Sequence, residues 1–463
     1  MIYSSKKIFS GGLIFMKKIF CACIFLLSFF ISASCFADEL SLTVTDSPEV
    51  FRAYIGNDNS VMLDLRPEAA YQGWKLDGAL RGGHVAGAVD FPLSWLSLID
   101  DTKLDEILTQ KGVTSGKTVV LYGIGKIDGE SKKLLAGLER KGIKRAVLFN
   151  APASSWTADE SIPMYSYPKY YLYVYPRWLK SLMDTGKADN YDGRKFKVFE
   201  ASWGDEKTSY ANGHIPGSIH INTDDFEEAP LWNRLSDERL KTVMEEYGIT
   251  KDTLVILYST TANMAAARIA WILMYCGVED VRLLDGGFNA WKNAGLPISA
   301  ESTPKEAVKD FGANVPARKN LIIDTQEAKA IISDKNGRLV SIRSWAEQLG
   351  ETSGYAWLER KGRISGDVWG HCGPDSQTLP DFENVDGTMR NYIEITRIWD
   401  EWGIHPENNI ATFCGTGWRA AEVNFDFYVL GWPNISLYDG GWCEWSNDPS
   451  NPVQFGEQKP QYK

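Results

Sequence analysis

An α/β fold is predicted: three tandem, related domains, each a mostly parallel sheet with helices on both faces. Three observations predict it. The chain has 463 residues, about three domains at roughly 150 residues each. One sequence block recurs three times. Within each block, short apolar runs of strand length alternate with stretches of helical period, the pattern of a parallel sheet. The composition, 44% apolar and 24% charged, is ordinary for globular domains and excludes disorder, collagen or coiled coil as the main state. The 17 Trp supply core volume.

The first 37 residues are of another kind. Lys17 and Lys18 precede an almost wholly apolar run over 19–31, and Ser34-Cys35-Phe36-Ala37 places small residues before a cut at Asp38. This reads as a signal peptide, 1–37, with Met16 offering an alternative start. An uncleaved membrane anchor needs about 20 apolar residues, and Ser32 stands where a lipid-modified Cys35 calls for Leu. The mature chain is therefore expected in the periplasm, free of the membrane. The leader carries four Lys and no acid, so its removal moves the net charge from −11 to −15. So acidic a chain, with no Lys/Arg stripe, is not expected to bind nucleic acid. Three of the seven cysteines leave with the leader. Cys276, Cys372, Cys414 and Cys443 remain, too scattered for a disulfide scaffold even in an oxidising compartment.

The first block (38–151) opens with Val61-Met62-Leu63-Asp64-Leu65-Arg66 and runs to His84-Val85-Ala86-Gly87-Ala88. The second (177–301) opens with Val198-Phe199-Glu200-Ala201 and runs to His214-Ile215-Pro216-Gly217-Ser218. The third (317–463) opens with Val340-Ser341-Ile342-Arg343 and runs to Arg363-Ile364-Ser365-Gly366-Asp367. Each continues into a second apolar strand, at 118–122, 253–258 and 409–413. Blocks two and three also share an ending: Leu284-Asp285-Gly286-Gly287 matches Tyr438-Asp439-Gly440-Gly441, where block one has Asn150. The Tyr- and Pro-rich stretch 152–176 and the segment 302–316 read as linkers. The polar tail after Pro449 is expected to be weakly ordered.

One segment carries chemistry. Phe413-Cys414-Gly415-Thr416-Gly417-Trp418-Arg419-Ala420 follows a strand and opens a helix. Glycines let successive N–H groups turn inward as an anion nest, and the helix N-terminus adds positive potential at the same point. A cysteine so placed favours the thiolate, a strong nucleophile. Cys276 ends an apolar helix and Cys443 sits among Trp442 and Trp445; both read as structural. Cys372, in the polar run His371-Cys372-Gly373-Pro374-Asp375, reads as a second thiol near the site, a disulfide partner or an inert residue. The five His (His84, His214, His220, His371, His405) lack ligand spacing. No metal and no cofactor are called for, and His84 and His214 are expected to cap the turn of their repeats.

Three repeats with His-Ile-Pro-Gly-Ser, Asp-Gly-Gly and Cys-Gly-Thr-Gly-Trp-Arg together resemble the rhodanese (thiosulfate:cyanide sulfurtransferase) family. Within it the chain is most similar to exported three-domain members from enteric bacteria. The resemblance implies that Cys414 takes sulfane sulfur from thiosulfate as a persulfide and passes it to cyanide or a thiol. The N–H groups of Gly415, Thr416, Gly417, Trp418, Arg419 and Ala420 would stabilise the charge, and Arg419, Arg343 and Arg363 are the candidates for holding the donor. The implied partners are a small-molecule donor and acceptor, or a protein thiol as acceptor, and a monomer is expected. Gly123 and Ser259 hold the loop position in blocks one and two, so both are expected to be inactive, and Asp128 and Glu130 set negative charge beside the first. Block three departs at Arg363 and Ser365, and its stretch 360–388 reads as an insertion, a lid or docking loop over Cys414. The loop letters leave thiosulfate and 3-mercaptopyruvate open as donors, and a sulfur-carrier role with incidental turnover is the rival to catalysis. A phosphatase of related fold would carry its Arg six places after Cys; here Arg419 lies five after, and the smaller cradle favours sulfur.

Overall fold

The computed structural model describes residues 39–260 and 262–460; the expected signal peptide lies outside them. From Leu40 onward the chain is one compact unit built on three five-stranded sheets. The first holds β1 (Ser41–Thr45), β2 (Ser60–Asp64), β3 (Val89–Asp90), β4 (Thr118–Tyr122) and β5 (Arg145–Phe149). The second holds β6 (Tyr173–Val174), β7 (Phe196–Ser202), β8 (Ile219–Asn222), β9 (Leu254–Tyr258) and β10 (Asp280–Leu284). The third holds β11 (Ile322–Ile323), β12 (Gly337–Ser341), β13 (Val368–Trp369), β14 (Asn409–Phe413) and β15 (Ile435–Tyr438).

Every pairing within these sheets is parallel. The spatial orders β1-β5-β4-β2-β3, β6-β10-β9-β7-β8 and β11-β15-β14-β12-β13 are one topology used three times. The central strands β4 (TVVLY) and β9 (LVILY) are buried at every position, as strands covered on both faces must be. β4, β9 and β14 are each followed by a helix: α1 (Gly129–Arg140), α2 (Met264–Cys276) and α3 (Trp418–Val429). α2 is apolar nearly all round and buried along its whole length after Met264. It packs against α3, so the second and third domains share one continuous core.

The stretch 152–176, expected as an ordered linker packed on the first two domains, pairs with the first through Met164–Tyr165, antiparallel to His84–Val85. Its end, and the tail, differ from expectation. Tyr173-Val174 is already the edge strand of the second sheet, and a two-residue strand leaves no periodicity to read. The tail is also fastened: Val453–Gln454 pairs with Arg363–Ile364, and Gln458 Nε2 donates to Asp367. The segment 302–316 contains no helix or strand and is anchored by buried Phe311. His84 and His214 do serve the repeat turns. Each ring stacks on a tyrosine (Tyr71, Tyr210) at 3.6 Å and bonds that residue's carbonyl through Nδ1.

The insertion 360–388 joins the domains. Trp95 Nε1 of the first domain donates to Asp386 at 2.9 Å. Asp90 receives Lys111 Nζ (2.5 Å), Asn391 Nδ2 (2.5 Å) and Asn384 Nδ2 (3.2 Å), and Lys111 also pairs with Glu394 at 3.2 Å. All of Asp90, Lys111 and Glu394 are buried. Replacing Lys111 with Met leaves Asp90 buried without its cation, while Glu394 keeps its pairing with Arg390. The expected loss is about 3–5 kcal/mol, read by calorimetry as a lower first unfolding transition, with Lys111→Arg less affected.

Candidate active site

β14 ends at Phe413, and Cys414 begins the turn into α3 with its side chain almost fully buried. Gly417 N–H donates to Cys414 Sγ at 3.2 Å, a bond from the first turn of the helix onto the sulfur. Gly417 is the helix cap at φ 99°, in the left-handed region glycine tolerates. The loop is seated from below by Asp439-Gly440-Gly441. Trp442 N–H donates to Cys414 O (2.8 Å) and Cys443 N–H to Gly415 O (3.0 Å). A Cβ on Gly441 would lie 2.7 Å from Gly415 O, so the second glycine of the pair is what lets that helix approach. Ser259 and Gly287 repeat this contact in the second domain, with Phe288 N–H on Ser259 O at 3.0 Å.

Arg419 lies in the first turn of α3, buried. Its Nη atoms donate to Glu347 at 3.0 and 3.1 Å, to Asp375 O at 3.2 Å and to Tyr355 OH at 3.3 Å. The Cys372 sulfur is 3.3 Å from the same guanidinium. Burial would raise the Glu347 carboxyl, but Arg419 and Arg343 outweigh it and hold it at about 2. Glu347 sits where a capping box demands it, three residues after Ser344. The ring of Tyr355 covers Gly415, whose Cβ, if present, would lie 2.1 Å from it.

A cavity of about 480 Å³ opens over this loop. The third domain supplies Tyr355, Trp357, Ser376, Gln377, Thr416, Trp418 and Arg419; the second supplies the facing wall, with Trp203, Glu227, Trp232 and Met264 prominent. Glu227 accepts from Trp418 Nε1 at 2.7 Å and from Arg268 Nε at 3.0 Å, and Arg268 reaches Asp439 at 2.6 Å. Burial pushes the Glu227 carboxyl up to about 7, against the pull of Arg268.

Of the residues expected at the site, Cys414 and its loop, including Ala420, are gathered, and Arg419 lines the cavity. Arg343 and Arg363 do not line it. Arg343 is wholly buried, donates to Gly362 O at 2.9 Å and lies 4.7 Å over the Trp442 ring; it acts through Glu347. Arg363 spends its guanidinium on Gly456 O at 2.6 Å, beside the tail strand. Of the insertion, Ser376 and Gln377 wall the cavity and Cys372 meets Arg419. Cys372 is a free thiol, pushed up to about 12 by burial. Tyr355, Glu347, Glu227 and Arg268 were missed from sequence. Only Glu347, through Ser344-x-x-Glu347, had a local signal.

The other two loops hold no cysteine. Gly123 sits at φ 93°, where a Cβ would meet the Arg66 side chain at 2.4 Å, and Arg66 is locked on Asp64 at 2.9 and 2.6 Å. Ser259 Oγ accepts from Ala266 N–H at 2.9 Å, so it caps α2. Among the described residues no cluster of three or more His, Cys, Asp or Glu is placed to hold a metal, and no helix is long and apolar enough to cross a membrane.

The rhodanese-like domain model matches residues 175–294 and 324–448. The chain belongs to the rhodanese-like family. It is 41% identical over 404 residues to the thiosulfate sulfurtransferase YnjE of Escherichia coli (strain K12), covering 87% of this chain and 90% of that protein. It is 30% identical over 278 residues to the sulfur carrier protein TtuD of Thermus thermophilus, covering 58% of this chain and 94% of TtuD. The structure of EanB superposes with a TM-score of 0.85 at 36% identity, covering 91% of this chain and 99% of EanB. EanB structures include complexes with hercynine and a cysteine persulfide with ergothioneine. The chain is thus a rhodanese-family sulfurtransferase, with three tandem domains of that fold.

Two outcomes follow from the site's electrostatics. Glu347→Gln leaves Arg343 and Arg419 buried without their anion, an expected cost of about 3–5 kcal/mol in urea unfolding. Because the folded carboxyl titrates below its ordinary value, the gap between wild type and variant is full above about pH 4.5 and shrinks as pH falls toward 2. Brief iodoacetamide treatment near neutral pH, mapped by peptide mass spectrometry, leaves Cys372 and Cys443 unmodified. Burial holds them at about 12 and about 11.

Proposed function

We propose that the protein is a thiosulfate sulfurtransferase working through a persulfide on Cys414, exported to the periplasm by its leader. The observation that carries this reading is the Gly417 N–H on the Cys414 sulfur, within a loop whose other N–H groups open a helix. In the first step the Cys414 thiolate attacks the outer sulfur of thiosulfate. The S–S bond of the donor breaks, its electron pair leaves with sulfite, and Cys414 carries an S–S⁻ group. The nest of N–H groups stabilises that charge. Arg419, held rigid by Glu347, supplies positive charge for the anionic donor. In the second step an acceptor such as cyanide attacks the outer sulfur and the S–S electrons return to Cys414, giving ping-pong kinetics. 3-Mercaptopyruvate is the alternative donor, and a carrier role, delivering sulfur to a protein thiol, is supported by the likeness to TtuD.

A second reading makes the acceptor a carbon centre: an imidazole C–H and the Cys414 persulfide become an imidazole C–SH and the free thiol. Tyr355 favours it. Its hydroxyl is kept protonated, because burial raises it further than Arg419 lowers it, and it sits over the loop as a proton donor. EanB, which is solved with hercynine and ergothioneine, gives the comparison.

Intact-mass measurement tests the shared first step. Incubation with thiosulfate, and separately with 3-mercaptopyruvate, is expected to add one sulfur atom to the wild type with thiosulfate and none to Cys414→Ala. Persistent loading of the variant refutes the assignment of Cys414. Loading by 3-mercaptopyruvate alone refutes thiosulfate as donor.

A further inference from the structure

The ends of α2 and α3 away from the cysteine loop frame a second cavity, of about 380 Å³. It shares no lining residue with the cavity over the loop. Trp418 at the start of α3 lines that one and Tyr428 near its end lines this one, about 15 Å further along the helix axis. Lys169 and Tyr171 come from the stretch before β6, Glu279 and Asp280 from the entry to β10, and Arg318 from the stretch before β11. The linker, the second domain and the third therefore all contribute.

The charges on this wall do not cancel. Asp280 is taken by Arg282, with contacts of 2.9 and 2.8 Å. Glu279 lies 3.6 Å from Arg194 and 3.5 Å from Lys251. Lys169 and Arg318 are left over, and neither has a carboxylate partner among the described residues. Lys169 Nζ instead stands 3.2 Å from the centre of the Tyr428 ring, a position that satisfies its charge in part and leaves its N–H donors to be used. Burial and the neighbouring Arg318 push the Lys169 ammonium down to about 8. Two neighbouring cations without an anion cost free energy that an anion between them recovers.

We propose that this cavity binds a doubly charged oxyanion group, sulfate or phosphate, between Lys169 and Arg318, with the hydroxyls of Tyr171 and Tyr428 as further donors. A guanidinium and an ammonium together suit such a group, the first through its planar fork and the second as a point charge. The volume leaves room for an organic portion beyond the bare anion, so a free oxyanion and a phosphate ester are the two sources of the same chemistry. The site is independent of Cys414 and of any sulfur transfer there. The rival account is that the two cations only complement the negative C-terminal ends of α2 and α3, where the backbone N–H groups of Arg318 and Lys169 bond Tyr275 O and Val429 O. That account predicts no anion binding.

Isothermal titration of the full chain with sulfate at constant ionic strength decides between them. Sulfate has no proton to exchange near neutrality, so a proton taken up on binding comes from the protein. An anion beside Lys169 favours its ammonium form. Near pH 8, where about half of the Lys169 side chains are neutral, binding is expected to take up as much as about half a proton per sulfate, and affinity to fall as the pH is raised further. The uptake is read from the dependence of the heat on the ionisation enthalpy of the buffer. Lys169→Gln and Arg318→Gln are each expected to weaken binding at least about tenfold, the worth of one charge-assisted hydrogen bond, and Lys169→Gln to abolish the proton uptake. Sulfate held at the cysteine loop survives both substitutions and is subtracted. Inorganic phosphate and glycerol 3-phosphate are titrated in parallel: tighter binding of the ester identifies an organic phosphate as the occupant, equal or weaker binding a free oxyanion. Absence of saturable sulfate binding, binding without proton uptake near pH 8, or binding that both variants retain in full overturns the proposal.

Discussion

The site depends on one buried guanidinium. Arg268 belongs to the second domain, on α2, yet it binds Glu227 in its own domain and Asp439 in the third. It also lies against the active loop: a Cβ on Gly417 would come within 3.0 Å of its Nη1. Asp439 heads the turn whose next residues hold up Cys414 and Gly415. A single side chain therefore sets the distance between the wall that faces the cavity and the loop that carries the sulfur. The packing of α2 on α3 provides the apolar area behind it, and Tyr173 OH on Asp426 at 2.7 Å and Trp271 Nε1 on Leu321 O at 2.8 Å fix the same interface further along.

What the sequence disclosed and what it hid divide along a physical line. Periodicity and turn chemistry are local, so the three repeats, the parallel sheets, the cysteine loop and the shared Asp-Gly-Gly were all legible. Contacts between domains are not local. Nothing near Glu227 or Arg268 in the chain marks them as neighbours of a loop in the next domain, and Tyr355 lies in a stretch with no motif at all. The arginines show the hazard of transferring a role by position. Arg343 and Arg363 occupy plausible places in the repeat, but their guanidinium groups are spent on Glu347, Gly362 and the tail. Each is a structural cation that tertiary context has claimed. Cys372 met the reverse fate. A polar neighbourhood in sequence became a fully buried thiol beside Arg419.

The position of the cysteine is taken differently in the first two repeats. In the first, the arginine at the end of β2 folds back onto Asp64 and fills the space beside Gly123, so the cradle holds protein. In the second, Ser259 turns its hydroxyl onto the helix N-terminus, accepting from Ala266 N–H. Silence by filling and silence by capping have different structural costs. The filled loop buries an ion pair, whereas in the second a serine from outside the helix satisfies one N–H of its first turn.

The Asp-Gly-Gly turn of the second domain shows what a motif becomes when its chemistry is gone. Its glycine still seats a loop that carries no nucleophile. Its aspartate, Asp285, accepts from Gln72 of the first domain at 2.6 Å and from the backbone of Met389 in the third at 2.9 Å. The turn that in the third domain seats the Cys414 loop is here the point where all three domains are tied. One signature thus does two mechanical jobs on this chain: it holds up a cysteine loop in the third domain and, in the second, joins three domains at a single carboxylate.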